Sequence, residues 1–453
     1  MKDRLDLTEG RITEKLLKLS LPIMGTSFIQ MGYNMIDMIW VGKAGSKAVA
    51  AVGTAGFFPW LAMAFIMISK VGGEVKVAQS IGENNISATK SYIKSAIEIN
   101  IMLAIIYTIS LIVLNKQLIG FFKLGDLEVI TMSRQYLIIV ALGMVFYFIN
   151  PVFTAIFNGL GNSKTPFCIN TVGLITNIIL DPILIFGWGP APRLGVAGAA
   201  IATVFAQIVV TMCFLYIVLK SKEEYFRIKI FRKIELRYYK VLYKLGFPVA
   251  IQNGMFTVFS MLLGVIVASW GPVAVAVQKV GSQIEAISWM TAEGLAVALG
   301  SFVGQNYGAK KYSRINKGCK IGIIVSSILG IITTLVLVFA GESIFSVFID
   351  ESEAIEKGAT YLKILGYSQF FMCLEIITTG AFKGLGRTYI PSTIVTILTG
   401  ARVPLAYLIS RPEILGLDGV WWSITLSSIL KGTLMISLFI YLLKVGKLYK
   451  MSE

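Results

Sequence analysis

Twelve times along this chain, a stretch of about 20 residues runs with few charges, the length needed to cross roughly 30 Å of hydrocarbon. The runs fall near 17–40, 49–78, 95–114, 134–157, 166–187, 195–219, 246–270, 275–303, 320–340, 359–381, 390–410 and 418–443. Hydrophobic residues make up 56% of 453 positions and charged residues 15%, which excludes a soluble chain of polar-surfaced domains. The expected fold is an all-α integral membrane protein of twelve transmembrane helices. The first run passes through Pro22 straight into the body of the protein, so it reads as a span rather than a cleavable leader.

The chain also repeats itself. Lys18-Leu19-Ser20-Leu21-Pro22 answers Lys244-Leu245-Gly246-Phe247-Pro248, an offset of 226, and Ala78-Gln79-Ser80-Ile81-Gly82 answers Gly304-Gln305-Asn306-Tyr307-Gly308 at the same offset. Gly159-Leu160-Gly161 with Pro166 answers Gly384-Leu385-Gly386 with Pro391; Asp181-Pro182 answers Val403-Pro404; Gly195 to Gly198 answers Gly416 to Gly419. Five matches in order at a nearly constant offset indicate duplication. Six spans per half is an even number, so both halves insert with one orientation. The expected plan is two six-helix bundles related by a pseudo-two-fold axis along the membrane normal, with the path between them. That divides the chain into an N-lobe at 1–219, a cytoplasmic linker at 220–244 and a C-lobe at 245–453. The Gly-X-Gly segments read as tight turns and helix ends, not as phosphate loops.

The formal charge of +16 invites a nucleic-acid reading, but its distribution argues against one. With the N-terminus inside, the cytoplasmic face receives Lys2, Arg4, Arg11, Lys15 and Lys18, nine basic residues of the 220–244 loop, five between Lys310 and Lys320, and Lys444, Lys447 and Lys450. The outer face receives few, among them Lys43, Lys47, Lys116 and Lys123. This is the positive-inside pattern, and it puts both termini in the cytoplasm of a cell whose inner membrane the chain spans. The basic charge orients the protein; no nucleic-acid partner is needed. Four cysteines lie singly inside apolar runs and histidine is absent, which removes disulfide frameworks and His-based metal sites or triads. No P-loop occurs, which argues against a self-contained ATP-driven pump, and no cofactor motif is present.

Polar groups at bilayer depth are costly and need a reason. Gln30, Asn34 and Asp37 fall on one stripe of the first span. Asn170, Asn177 and Asp181 fall on one face of the fifth, Thr203 and Gln207 lie one turn apart on the sixth, and Tyr147, Asn150 and Thr154 are on the fourth. At the repeat offsets Asp37 corresponds to Leu263 and Asp181 to Val403. Packing should affect both halves alike, so two aspartates confined to one half point to chemistry. Two carboxylates in one low-dielectric pocket do not both stay ionised: one holds a proton or the pair holds a cation. Asn177 and Thr203 supply neutral oxygens suited to Na⁺. The competing reading is that both aspartates bond neighbouring helices. Glu98 is expected near a helix end, within reach of water. Glu285 is placed in the cavity of the second half, with Arg402 available to neutralise one of Glu285, Glu293 or Glu375.

The segments Ile36-Asp37-Met38-Ile39-Trp40-Val41-Gly42, Gly159 to Pro166, Leu180-Asp181-Pro182 to Gly187, Leu194 to Thr203, Val303 to Ala309 and Gly380 to Thr388 together resemble the multidrug and toxic compound extrusion (MATE) family. The resemblance implies two six-helix bundles forming a V-shaped cleft and export of organic, often cationic, compounds driven by H⁺ or Na⁺. In the DinF-like branch it implies an N-lobe cation site at Asp37, Asn177, Asp181 and Thr203. Substrate would line up along Gln30, Asn34, Tyr147, Asn150, Thr154, Asn170, Gln207 and Glu285. Met372 stands where the NorM-like branch has an acidic residue, and Gln283 where a basic one is common. The expected partners are small organic cations and the lipid bilayer, with the protein a monomer. A lipid-linked oligosaccharide or peptidoglycan-precursor flippase is the rival transporter; such relatives commonly have fourteen spans and cationic cavities. A receptor would usually carry a soluble domain larger than the longest loop here, of about 25 residues. An enzyme would need a nucleophile–base pair or metal motif that the sequence lacks.

Overall fold

The computed structural model describes residues 4–189, 192–230, 235–349 and 351–449. These are helical nearly throughout, with no strand among them. They divide into two compact units: residues 4–6 with Gly25–Ala250, and Leu7–Met24 with Ile251 onward. Unit one contains most of α1 (Ile12–Lys43), then α2 (Ser46–Gly82), α3 (Ile86–Gly120), α4 (Leu127–Leu142), α5 (Met144–Gly159), α6 (Lys164–Phe186), α7 (Val196–Lys220) and the start of α8 (Leu236–Ala268). Unit two contains the rest of α8, then α9 (Pro272–Gly308), α10 (Tyr312–Phe339), α11 (Gly341–Phe345), α12 (Ser352–Gly366), α13 (Gln369–Gly384), α14 (Tyr389–Gly400), α15 (Arg402–Ile409) and α16 (Leu417–Lys444).

This division differs from the lobes expected at 219 and 245, and local packing supplies the reason. The segment read as a cytoplasmic linker loop, 220–244, has Tyr225 and Phe226 buried in the core of unit one. Further on, α8 lies tight against α2: a Cβ on Gly246 would fall 1.9 Å from the carbonyl oxygen of Ile68. The stretch from Leu7 is held in unit two, where Leu7 N donates to Gln305 Oε1 at 3.2 Å and Asn306 Nδ2 donates to Leu7 O at 3.0 Å. So the repeated Gln305-Asn306 pair anchors the chain's beginning. Both changes of unit fall at one position of the repeat, Met24–Gly25 and Ala250–Ile251.

The glycine matches prove to be demands of the backbone. Gly161 and Gly386 turn with φ of +83° and +78°, a left-handed conformation that favours glycine. A Cβ on Gly198 would lie 2.2 Å from Leu184 O, and one on Gly419 would lie 2.3 Å from Ile409 O. Nine helices are long and apolar enough to cross a membrane among the described residues, or eleven when two bent pairs count as single spans. The bends are 52° between α4 and α5 and 49° between α12 and α13. The first falls at Gly143, where a side chain would strike Val204 on α7 at 2.5 Å. The twelfth span is α1: its 32 residues suffice in length, but Gln30, Asn34 and Asp37 dilute its apolarity. Glu98 corrects an expectation. It is fully buried, accepts a 2.7 Å bond from Tyr239 Oη and has Lys94 Nζ 3.7 Å away, because the start of α8 covers it.

Candidate functional site

Two glycines bring the acid-bearing helices of unit one together. Gly25 on α1 faces the ring of Phe167 on α6 where a Cβ would lie 2.5 Å away, and Gly173 on α6 faces Val210 on α7 at 2.4 Å. Pro182 follows Asp181 inside α6 and donates no backbone hydrogen bond, loosening the helix at that point. On these helices Asp37, Asn177, Asp181 and Thr203 converge. Asn177 Nδ2 donates to Asp181 Oδ1 at 3.1 Å, with both residues fully buried. Asp37 is near enough for its charge to act on Asp181.

What distinguishes the cluster is unused acceptor capacity. Asp37 Oδ1, Asn177 Oδ1, Asp181 Oδ2, Thr203 Oγ1 and Tyr33 Oη are all buried with no hydrogen-bond partner. Buried polar atoms are nearly always satisfied, so five such oxygens in one neighbourhood require an explanation. Two carboxylates with amide and hydroxyl oxygens make a donor set for a small hard cation, or for a proton shared between acids. Among the described residues no group of three or more His, Cys, Asp or Glu assembles.

Tyr33 was not foreseen in the sequence. It stands beside Thr203, short of full hydrogen-bond geometry, and close to Asp37, Asp181 and Tyr147; the buried Tyr136 of α4 is in the same electrostatic neighbourhood. The i, i+4 spacing of Tyr33 and Asp37 was the available signal. The expected stripe therefore splits: Asp37 turns toward the cluster, whereas Gln30 and Asn34 are exposed.

The expected cavity residues have varied surroundings. Asn150 Nδ2 donates to Gln207 Oε1 at 2.8 Å and to the Gln207 carbonyl at 3.0 Å, and Thr211 Oγ1 donates to Asn150 Oδ1 at 2.7 Å. This saturated network ties α5 to α7. Asn170 Nδ2 donates back to Pro166 O at 2.7 Å within its own helix, and Thr154 is half-buried.

Unit two holds a different buried cluster. Glu285 Oε1 accepts from Gln369 Nε2 at 3.0 Å. Lys431 Nζ lies 3.0 Å from Glu375 Oε2. Arg402 donates to Ser427 Oγ and, at 2.9 Å, to Ser428 Oγ. The direct partner of a second-half acid is thus Lys431, not Arg402. Lys431 was missed because it sits in a span read as uniformly apolar.

The MatE family pattern matches residues 22–183 and 248–408. The chain is 29% identical over 431 residues to the "probable multidrug resistance protein NorM" of Thermotoga maritima, covering 95% of this chain and 92% of that protein. It is 26% identical to the "probable multidrug resistance protein YoeA" of Bacillus subtilis, over 88% and 87% of the two chains. Among solved structures, a MOP superfamily transporter from Pyrococcus furiosus superposes with a TM-score of 0.87 at 21% identity, covering 97% of this chain and 98% of that one. That likeness carries the fold class expected from the sequence, all-α with twelve spans in two six-helix bundles.

Proposed function

The chain belongs to the MatE family of multi-pass membrane transporters, and from that premise we propose that it is an efflux antiporter. It exports small organic, chiefly cationic, compounds in exchange for H⁺ or Na⁺, by alternating access. The observation that carries the coupling is the set of five buried, partnerless oxygens on Tyr33, Asp37, Asn177, Asp181 and Thr203. With the site open to the outside, the carboxylates take up the ion and its binding repacks α1 against α6 and α7. With the site open to the inside, the ion leaves and substrate enters. One charge moving down 100 mV supplies about 2.3 kcal/mol, and each pH unit about 1.4 kcal/mol. The acids on α1 and α6, with Met372 on α13, support the DinF-like branch. The excess of basic residues on one face supports the inner membrane with both termini cytoplasmic. The protein acts as a monomer.

The test is efflux of a fluorescent organic cation from everted vesicles, with pH and Na⁺ gradients imposed separately. Asp37→Asn and Asp181→Asn should each abolish the gradient-driven component. Unchanged efflux in both variants removes the coupling proposal.

A further inference from the structure

The beginnings of α1 and α10 enclose a cationic cleft in unit two. It consists of two adjoining cavities of about 820 and 680 Å³ that share Arg11, Ile12 and Lys317. Six basic residues line it: Arg11, Lys310, Lys311, Arg314, Lys317 and Lys320. Its single acid, Glu14, is paired with Lys18 at 2.7 Å. Lys311 and Arg314 are engaged, Lys311 Nζ donating to Thr8 O at 3.1 Å and Arg314 to the Glu9 carbonyl at 2.8 Å. Arg11, Lys310, Lys317 and Lys320 are exposed and form no ion pair among the described residues.

The duplication provides an internal control. Unit one has the equivalent cleft, about 300 Å³, lined by Arg237 and Tyr238 at the places of Arg11 and Ile12. At the offset of 226 its turn reads Glu83-Asn84-Asn85 where the second reads Ala309-Lys310-Lys311. Ala88 and Ser91 stand opposite Arg314 and Lys317. The backbone of the two turns is the same: φ is +56° at Asn84 and +58° at Lys310. Asparagine tolerates this left-handed conformation far better than lysine does. Arg11 and Lys320 have basic counterparts in Arg237 and Lys94, but Lys310, Lys311, Arg314 and Lys317 do not, so packing requires neither these four cations nor a lysine at that strained position. Orientation by positive charge requires basic residues on this face, but not their convergence in one cleft.

We propose that this cleft binds the phosphate of an anionic phospholipid headgroup at the membrane interface. The apolar residues argue for lipid over soluble phosphate. Ile12, Leu17 and Ile321 line the cavity below the cations, and exposed Ile324 and Ile328 continue down α10, which is itself a membrane-crossing helix. An acyl chain can follow that stripe while the phosphate stays among Arg11, Lys317 and Lys320. Basic pockets between spans recognise lipid phosphates in this way.

The test is native mass spectrometry of the purified full chain from vesicles of equal phosphatidylglycerol and phosphatidylcholine. Wild type should retain phosphatidylglycerol preferentially. The triple variant Lys310→Gln, Lys317→Gln, Lys320→Gln should lose about a hundredfold of that preference, about fivefold per cation. The triple Lys→Arg variant at the same positions should keep it, which separates loss of charge from loss of fold. Arg237→Gln, in the equivalent cleft, should leave it unchanged. The proposal is overturned by equal retention of the two lipids, by full retention in the Lys→Gln variant, or by loss in the Lys→Arg or Arg237→Gln variant. It is also overturned if excess inorganic phosphate strips the lipid from wild type, since the ligand would then be soluble.

Discussion

Each unit holds a pair of acids deep among its helices, in opposite company, apart from Glu98 on α3, which Tyr239 and Lys94 engage. In unit one, Asp37 and Asp181 stand among oxygens that have spare lone pairs, and neither forms an ion pair among the described residues. In unit two, Glu375 meets Lys431, Glu285 takes a hydrogen bond from Gln369, and the charge of Arg402 acts on both acids. The first arrangement is incomplete until an ion or proton arrives. The second is complete within the protein, and its charges hold α9, α13, α15 and α16 in register. Duplication supplied one scaffold; the two halves have used buried charge for exchange and for cohesion.

The comparison breaks most visibly at Lys431. Replacing one partner of a buried ion pair strands the other, which costs about 3–5 kcal/mol. Lys431→Met should therefore lower the melting temperature in detergent sharply, and adding Glu375→Gln should recover most of the loss. Asp181→Asn, by contrast, removes charge that has no protein counter-ion, so its melting temperature should stay at or above wild type. What it should lose is drive. Without one coupled charge, about 2.3 kcal/mol per 100 mV disappears, a fall of tens of fold in the substrate gradient that vesicles sustain. If Lys431→Met melts like wild type while Asp181→Asn unfolds, the roles assigned to the two units are reversed.

Tyr33→Phe sharpens the same contrast at smaller scale. If the hydroxyl contributes to holding the ion, its loss removes about 1.5 kcal/mol or more, the worth of a bond to a charged group. The ion concentration for half-maximal efflux should rise about tenfold with the melting temperature unchanged. Identical ion dependence in wild type and variant would make Tyr33 a packing residue only.

The sequence made the architecture legible because bilayer length and repeat spacing are coarse, one-dimensional signals. Asp37 and Asp181 were legible because an asymmetry between repeats does not depend on side-chain direction, and Asn177 and Thr203 followed from their spacing beside them and from the family resemblance. What the sequence left open has physical causes. A polar stripe does not say which way each residue turns: Asp37 faces the cluster, whereas Gln30 and Asn34 are exposed. Asn150 and Gln207 look identical in sequence whether they face a cavity or saturate each other across α5 and α7. Tyr33 and Tyr136 were hidden because a tyrosine near a span end is ordinary. Lys431 was hidden because one cation in an apolar run announces itself only through its partner. The linker's packing was not legible, because a basic, 25-residue stretch does not announce that Tyr225 and Phe226 are buried.

The smallest expected effect lies at the surface of unit one, where Lys47 at the start of α2 closes on Asp126, which caps α4, and on Glu128 in the first turn of α4. Lys47 Nζ is 3.0 Å from Asp126 Oδ2 and also bonds Glu128. The ammonium of Lys47, followed by the backbone N–H of Glu128, holds the Asp126 carboxyl below its usual range. A carboxyl depressed in the folded state contributes stability above its unfolded value, near 4. That contribution is lost as pH falls through the lower, folded value. Lys47→Gln should therefore lower the melting temperature slightly at neutral pH and flatten the acid limb below about pH 4, where the two profiles converge. Molar salt should shrink the difference, because screening at about 3 Å reaches an exposed pair. A Lys47→Gln profile parallel to wild type through that window would mean that the pair is ornamental, and that cohesion in unit one rests on its buried network alone.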